Sequence, residues 1–418
     1  MPITPEIQMA MRLYFSQQGT NRTSRPAVRV ALAGMIVGVL VMVMTICVVV
    51  GFKRTVTEQV AGFGSHIQVV SFDNNNTYDL QPIPVSDSLL TRLAAYPHVA
   101  HAVPFVTKPG ILKTDSAFHG MVLKGTDEWT FFARNLREGA LPAAPQEILL
   151  SAQVARLMQL RVGDAVNGYF VDETDIRARR FRVAGIYDTG FEQFDELFVL
   201  TPLAAAKRLL TIEDCDSLAD GTDYYSGVEI LVDDIRHLDE TADLIYFATV
   251  NRLDDKGYNL YYVQTLHQQN PAIFAWLDLL DMNVVVIIVL MLLVAGFNIV
   301  SGLIIMILES IQLIGTLKAL GADNRFVRRI FLAQAAILIG KGLLWGNVLG
   351  LGLVAIQYFT HVIPLEAATY YVSYVPVAFA REWLIGMNIL TLALSLLILL
   401  LPSLIITRIS PAKVMHFE

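Results

Sequence analysis

Four long stretches of this chain carry no charge, or a single one, and they limit its fold more than any other feature. Val30–Phe52, Met282–Leu308 and Trp383–Thr407 are uncharged, and Ile330–His361 is interrupted only by Lys341. Each exceeds the roughly 20 residues that cross a bilayer as a helix. The first is too long for a signal-peptide core and no small-residue cleavage site follows it, so it reads as an uncleaved anchor. Short basic flanks fix the orientation. Arg12, Arg22, Arg25, Arg29, Lys318, Arg325, Arg328, Arg329, Arg408 and Lys413 fall on one side of the four spans, against Lys53, Arg54 and Arg381 on the other. The excess of basic residues makes the first side cytoplasmic.

Between the first two spans lies an insert of different character. Residues 53–272 hold 30 acidic and 19 basic residues, whereas the remainder holds 8 and 12. A mean hydropathy of +0.51 with 17% charged residues suits an acidic soluble domain set into a membrane frame. Short alternating runs predict strands at His66–Phe72, Gly110–Lys113, Met121–Lys124, Val162–Val171, Phe181–Tyr187, Leu197–Leu200, Val228–Val232 and Asn259–Val263. Helices are expected at Asp87–Ala95, Ser151–Leu160, Pro202–Leu210 and Ile235–Arg252, with Ser151 and Pro202 as start signals. A long middle section interrupts the outer strand-and-helix set, which suggests two subdomains. The fold class is a polytopic α-helical membrane protein with four transmembrane helices and a large α+β domain inserted between helices 1 and 2.

The expected order runs as follows. A cytoplasmic segment, 1–29, carries an interfacial helix at Pro5–Ser16; span 1 (30–52) and the outer α+β domain (53–272) follow. A stalk and span 2 (273–308), a cytoplasmic helix (309–329), span 3 (330–360), a short outer loop (361–382), span 4 (383–407) and a cytoplasmic tail (408–418) complete it. Ile273–Leu308 would be about 54 Å long as one helix, well beyond a hydrocarbon core of about 30 Å. Its start should therefore stand above the bilayer, with Asp278 and Asp281 in the interface. Tyr370, Tyr371 and Tyr374 are placed as an interfacial aromatic belt would be.

The chain carries no catalytic constellation. Gly340-Lys341-Gly342 lacks the rest of a phosphate-binding loop and lies inside a span, and HExxH, G-x-S-x-G and Cys/His metal spacings are absent. Cys47 and Cys215 lie in a span and in the insert, so a disulfide between them is not expected. His98 and His101 flank a turn-like stretch and read as surface histidines. Asn298, Lys341, Asn347 and Asn388 are intramembrane polar residues that must find partners, either in a bundle that rearranges or in fixed interhelical hydrogen bonds. Gly340, Gly342, Gly346, Gly350 and Gly352 make span 3 a candidate helix–helix interface. The hairpin Val162–Arg182 has a charged tip, Val171, Asp172, Glu173, Thr174, Asp175, Arg177, Arg179 and Arg180, that is either a solvated loop or a docking finger.

Between spans 2 and 3, Ile311, Ile314, Leu317 and Leu320 recur on one face of a short helix, and Gly321 follows as its C-cap. This string, ESIQLIGTLKALGA, resembles the cytoplasmic E-R-x-x-x-I-G-x-L-K-A-L-G-A segment of the FtsX/MacB-like permeases of ABC transporters. Glu309, Ile314, Gly315, Leu317, Lys318, Ala319, Leu320, Gly321 and Ala322 match, and Ser310 departs from the usual Arg. The closing ISPAKVMHFE is similar to the family's I-x-P-A-x-x-L-R-x-E, with departures at Met415 and His416. NPAIFAWLDLLDMN and YDTGFEQFDE resemble the lipoprotein-releasing branch, LolC/LolE-type permeases.

The resemblance implies a permease core bound to two separate ATPase subunits, with ATP and Mg held there and no cofactor on this chain. A second permease (this chain or a paralogue), an acylated lipoprotein, a periplasmic lipoprotein carrier and membrane lipids would be its partners, with no nucleic acid. The insert would be periplasmic, and residues 309–322 would couple the ATPase to the spans. Cargo would enter between spans 1 and 2, where Met35, Met42, Ile46, Asn298 and Met306 are candidate cavity residues, Met offering adaptable apolar walls. A peptide or drug exporter and a signalling permease that activates a periplasmic hydrolase are the alternatives.

Overall fold

The computed structural model describes residues 24–72, 78–171, 176–210, 222–250 and 260–403. The interfacial helix expected at Pro5–Ser16, the tip residues Asp172, Glu173, Thr174 and Asp175, Cys215 and the tail from residue 404 lie outside the described residues. Two compact units form. One holds the chain through Lys53, Trp276–Ile363 and the chain from Val375; the other holds Arg54–Ala275 and Pro364–Tyr374.

Among the described residues, four helices are long and apolar enough to cross a membrane. They are α1 (Ser24–Gly64) and, after the insert, the helices at Pro271–Glu309, Asn324–Thr360 and Arg381–Ser403. Between α1 and the second of them run β1 (Ile67–Ser71), β2 (Ile83–Ser86), α2 (Asp87–Ala94), β3 (Val99–Lys113), β4 (Phe118–Thr126), α3 (Thr130–Arg134) and β5 (Leu136–Gly139). There follow β6 (Glu147–Ser151), α4 (Ala152–Met158), β7 (Ala165–Val171), β8 (Ile176–Tyr187), α5 (Glu192–Leu197), β9 (Phe198–Pro202) and α6 (Leu203–Lys207). The insert closes with β10 (Thr222–Tyr225), β11 (Gly227–Val232), α7 (Leu238–Thr249), β12 (Tyr261–Thr265) and α8 (Leu266–Gln269). The second long helix is α9 (Pro271–Glu309), followed by α10 (Ile311–Ala319), α11 (Asn324–Thr360), α12 (Ala367–Tyr370) and α13 (Arg381–Ser403). Both helices flanking the insert extend past their apolar runs, as the sequence predicts for the stalk.

In the helical unit, lipid on the outside removes most of the hydrophobic drive between helices, so close approach must hold them. Gly342, Gly346 and Gly350 recur one turn apart on α11 and lie against Met35, Val39 and Val43, spaced likewise on α1. A methyl group on Gly346 would stand 2.6 Å from the Val39 Cβ. Gly340 and Gly352, expected on the same interface, instead face open space, because they lie off this four-residue repeat. On α9, Gly302 meets Ala31, and Gly34 of α1 meets the Asn298 amide. Near the end of this unit's share of α1, Lys53 bonds Asp281 at 2.6 Å and lies 3.8 Å from Asp278, while Phe52 meets Trp276 edge-on. Lys53, a minority charge in the orientation count, therefore has its counter-charges on the neighbouring helix.

The insert is organised by β3, whose 15 residues serve two lobes. Through Phe105 it pairs with β11, and from Val106 it pairs with β4. The sheet order is β12-β1-β11-β3-β4-β9-β6-β8-β5, with β7 attached to β3 and β8. Ile67, Val69, Leu89, Ile230 and Ile245 fill the first lobe, and Leu123, Leu150, Val154, Phe181 and Val199 fill the second. Ser86 and Ser151 cap α2 and α4 by accepting from Leu89 N and Val154 N. The turn-like reading of residues 97–102 is corrected: His98 is in a left-handed turn, but His101 lies within β3, paired with Leu231.

Replacing Gly346 with Leu should lower the thermal midpoint of the full chain in detergent micelles, since overpacking costs about 1–3 kcal/mol. Gly352→Leu, directed at open space, should leave that midpoint unchanged or slightly higher.

Candidate functional site

The turn between α9 and α11 is built from its sequence. Gly321 has φ +92°, a conformation that favours glycine, directly after the last residues of α10. Its N–H donates to Lys318 O, and Ala322 N–H donates to Leu317 O at 2.9 Å. This pair of bonds is a Schellman closure, which satisfies carbonyls that the helix end leaves open. Asp323 then precedes α11. Ile314 and Gly315 are buried, and Leu317 packs against the helical core. Leu320 was expected on the same face but is 81% exposed, because the chain has left the helix there and turned outward. Gln312, Thr316 and Arg325 are exposed polar residues of this turn, and Ala319 and Leu320 are exposed with them; Lys318 is half-buried and Glu309 closes α9.

Met35, Met42 and Ile46 lie in the interior of this chain's own bundle, as do Met306 and the neighbours Val39 and Val43. Met35 faces Gly342 rather than an opening. Exposed apolar surface is instead presented by Val37 on α1 and by Met282, Val286, Val289, Leu293 and Phe297 on α9. Asn298 is half-buried beside Gly34. Asn347 and Asn388 bond each other reciprocally, at 2.7 and 3.0 Å, and each also donates to the carbonyl four residues earlier. That arrangement suits a fixed interhelical clasp, since both side-chain oxygens and nitrogens are satisfied. Lys341 is half-buried.

In the insert, β7 and β8 form a hairpin in register from Ala165↔Arg182 to Val171↔Ile176. Phe181, near its base, and Phe170, next to its tip, are both buried in the second lobe's core, whereas Val171 and Ile176 are exposed beside the tip. Arg179 and Arg180 are exposed and Arg177 is half-buried. An apolar pair flanked by arginines is a better-defined surface than the charged tip alone.

The last turn of α1 holds residues that sequence reasoning did not single out. Phe63 is ringed by Phe131, Phe132, Tyr187, Phe194 and Phe198. Lys124 from β4 donates to Phe63 O and to Glu229 Oε1 of β11, the latter at 2.6 Å. Lys124 is 3% exposed and Glu229 6%. The signal available in the sequence was a lone charge within each of two apolar strands, MVLKGT and GVEILV. Lys124 and Glu229 also line a cavity of about 240 Å³, together with Gln68, Gln264, Gln268 and Gln269.

Beside it, the Asp195 carboxylate accepts from Thr189 N and from Thr189 Oγ1 at 2.7 Å, and Gln59 of α1 donates to Thr189 O. The Phe191 ring from this loop meets that of Tyr371 at a tilt of 32°, with centroids 5.1 Å apart. Tyr371, expected in an aromatic belt, is therefore engaged by the insert's own loop. Burial raises the Asp195 pKa from 3.8 to about 6, the Thr189 hydrogen bonds opposing that rise and the Asp188 charge adding to it.

Residues 30–245 match the family model described as the MacB-like periplasmic core domain, and residues 285–411 match that of the FtsX-like permease C-terminal region. The chain belongs to the FtsX/MacB-like permease family. The permease is 26% identical over 416 residues to the lipoprotein-releasing system transmembrane protein LolE of Haemophilus influenzae, covering 91% of this chain and 92% of that one. It is 22% identical over 413 residues to the lipoprotein-releasing system transmembrane protein LolC of Xylella fastidiosa, with 93% of each covered. A pyoverdine export ATP-binding/permease protein, PvdT of Pseudomonas entomophila, is 24% identical over 335 residues; these cover 77% of the permease and 48% of PvdT.

Because its folded pKa is raised, Asp195 favours folding most when protonated. That contribution is fully present below the unfolded pKa near 4 and is lost as pH rises through about 6. Asp195→Asn should therefore flatten the fall of the thermal midpoint between pH 4 and 6, removing a contribution on the order of 3 kcal/mol. A wild-type and variant pair with parallel profiles over that window would refute this account.

Proposed function

We propose that this permease is one subunit of an ABC transporter that extracts lipoproteins from the inner membrane and passes them to a periplasmic carrier. ATP hydrolysis on a separate subunit drives the cycle. What carries the reading is coverage: relatives named as lipoprotein-releasing permeases align with the permease over more than nine-tenths of both chains. The exporter relative aligns with less than half of its own length, and its name includes an ATP-binding part. The permease has no Walker A motif of its own, so ATP and Mg belong on a partner ATPase dimer. It acts as a transmitter of movement, not as a catalyst.

In this reading both termini are cytoplasmic and the insert is periplasmic. The ATPase dimer grips the turn at Glu309–Ala322, with Leu320 as the apolar anchor and Gln312, Thr316 and Arg325 as its rim. Cargo acyl chains and the second permease compete for the exposed face of α9 rather than for the buried methionines. Removing acyl chains from a bilayer costs about 0.8 kcal/mol per CH₂, so a lipoprotein with several chains needs an external energy source. The β7–β8 hairpin, with Val171, Ile176, Arg179 and Arg180, is the surface offered to the carrier.

A second reading, export of a peptide or small molecule, is favoured by the similarity to PvdT. The deciding experiment is reconstitution with the ATPase and a second permease in liposomes that contain a triacylated lipoprotein. ATP-dependent appearance of that lipoprotein on a soluble carrier supports release, and its absence alongside ATP-dependent movement of a small cargo supports export. Leu320→Asp should reduce co-purification of the ATPase at least tenfold without changing the thermal midpoint, because Leu320 contributes little to the core.

A further inference from the structure

α1 is a continuous helix from Ser24 to Gly64, and its last turn contains no basic residue of its own. A helix end carries unsatisfied carbonyls and partial negative charge, and a cation there is favourable. The insert supplies one from 61 residues away. Lys124 Nζ donates to Phe63 O, Gln68 Nε2 donates to Gly64 O at 3.0 Å, and Ser65 N closes on Ala61 O. Lys124 is at the same time held by Glu229, which also accepts from Gln68 Nε2 at 3.1 Å. Gln68 Oε1 in turn accepts from Gln264 of β12 at 3.2 Å.

The position of this pair in the sheet is informative. Glu229 is on β11, in the first lobe, and Lys124 is on β4, in the second. Their partners on β3 are Val103 and Thr107, either side of the point where β3 passes from one lobe to the other. The ion pair therefore crosses the lobe boundary and takes hold of the helix end there. A buried ion pair is a poor source of stability, since desolvation cancels much of its attraction and apolar replacements are often neutral. Its worth here is geometric: it ties one carbonyl of α1 to two lobes at once, and Phe63 prevents the helix end from rotating within its aromatic ring.

We propose that Lys124, held by Glu229, is the joint that fixes the end of α1 to the insert and passes movement of the first span into both lobes. Lys124 is a positioning residue, and the proposal rests on the ATP-driven reading above. The double variant Lys124→Met, Glu229→Gln removes the donor to Phe63 O without leaving a buried charge unpaired. Assembled with the ATPase and a second permease, it should hydrolyse ATP within twofold of wild type while transferring lipoprotein to the carrier at least tenfold more slowly. Lys124→Arg, which keeps the charge and a donor, should recover most of the transfer. Transfer by the double variant within twofold of wild type would overturn the proposal.

Hydrogen exchange on the wild-type complex provides a second test that needs no variant. A joint that transmits must stay closed, so exchange across residues 64–68 should be the same with and without a non-hydrolysable ATP analogue. A tenfold acceleration with the analogue would show the joint opening and overturn the proposal. If the wild-type complex itself transfers no lipoprotein, the functional reading fails, and the exchange result still decides whether the joint holds.

Discussion

The helical unit depends on how closely α1 approaches α11. Inside a membrane, lipid tails are as apolar as leucine, so packing at short range replaces the hydrophobic effect as the force between helices. Gly342, Gly346 and Gly350 provide that range by removing side chains where Met35, Val39 and Val43 enter. The other polar features of the bundle follow from the same arrangement. Asn347 and Asn388 can meet reciprocally because α13 lies against α11, and Lys53 reaches Asp281 because α1 runs beside α9. None of these groups could be left unbonded in hydrocarbon without a cost of several kcal/mol.

The insert meets a different constraint, since its polar groups are buried in protein. Lys124, Glu229, Gln68 and Gln264 form one connected network at the end of α1, and the rings of Phe63, Phe194 and Phe198 line the same cavity. Networks of this kind are either fully satisfied and rigid or a source of instability. This one is satisfied at every link described. Asp195 is the counter-example nearby: two hydrogen bonds from Thr189 do not cancel its burial, and its affinity for a proton rises accordingly.

Much of this architecture was legible in the residues. The four spans were readable because long uncharged runs have few alternatives, and the extension of α9 because Ile273–Leu308 is too long for a hydrocarbon core. Ser151 and Gly321 marked a helix start and a helix end through local chemistry that tertiary contacts did not override. β3 was only partly visible, since Pro104 and Pro109 interrupt a strand whose pairing comes from β11 and β4, distant in sequence. The methionines of α1 were recognised as apolar wall, but which wall they form depends on rotation about the helix axis, and only the neighbouring glycines fix that. Leu320 had the right spacing for the buried face of α10 but lies just beyond its last turn. Lys124 and Glu229 each looked like one strand residue among others, because a partner 105 residues away leaves no mark in either local pattern.

The double duty of β3 has a consequence for how the insert comes apart. Two hydrophobic cores that share one strand cannot lose their structure separately, for melting either lobe takes away a pairing edge of the other. The insert should thus form a single cooperative foldon, with amides in both cores exchanging at one common free energy. A protease acting on the native protein would then find no stable half-insert to leave behind.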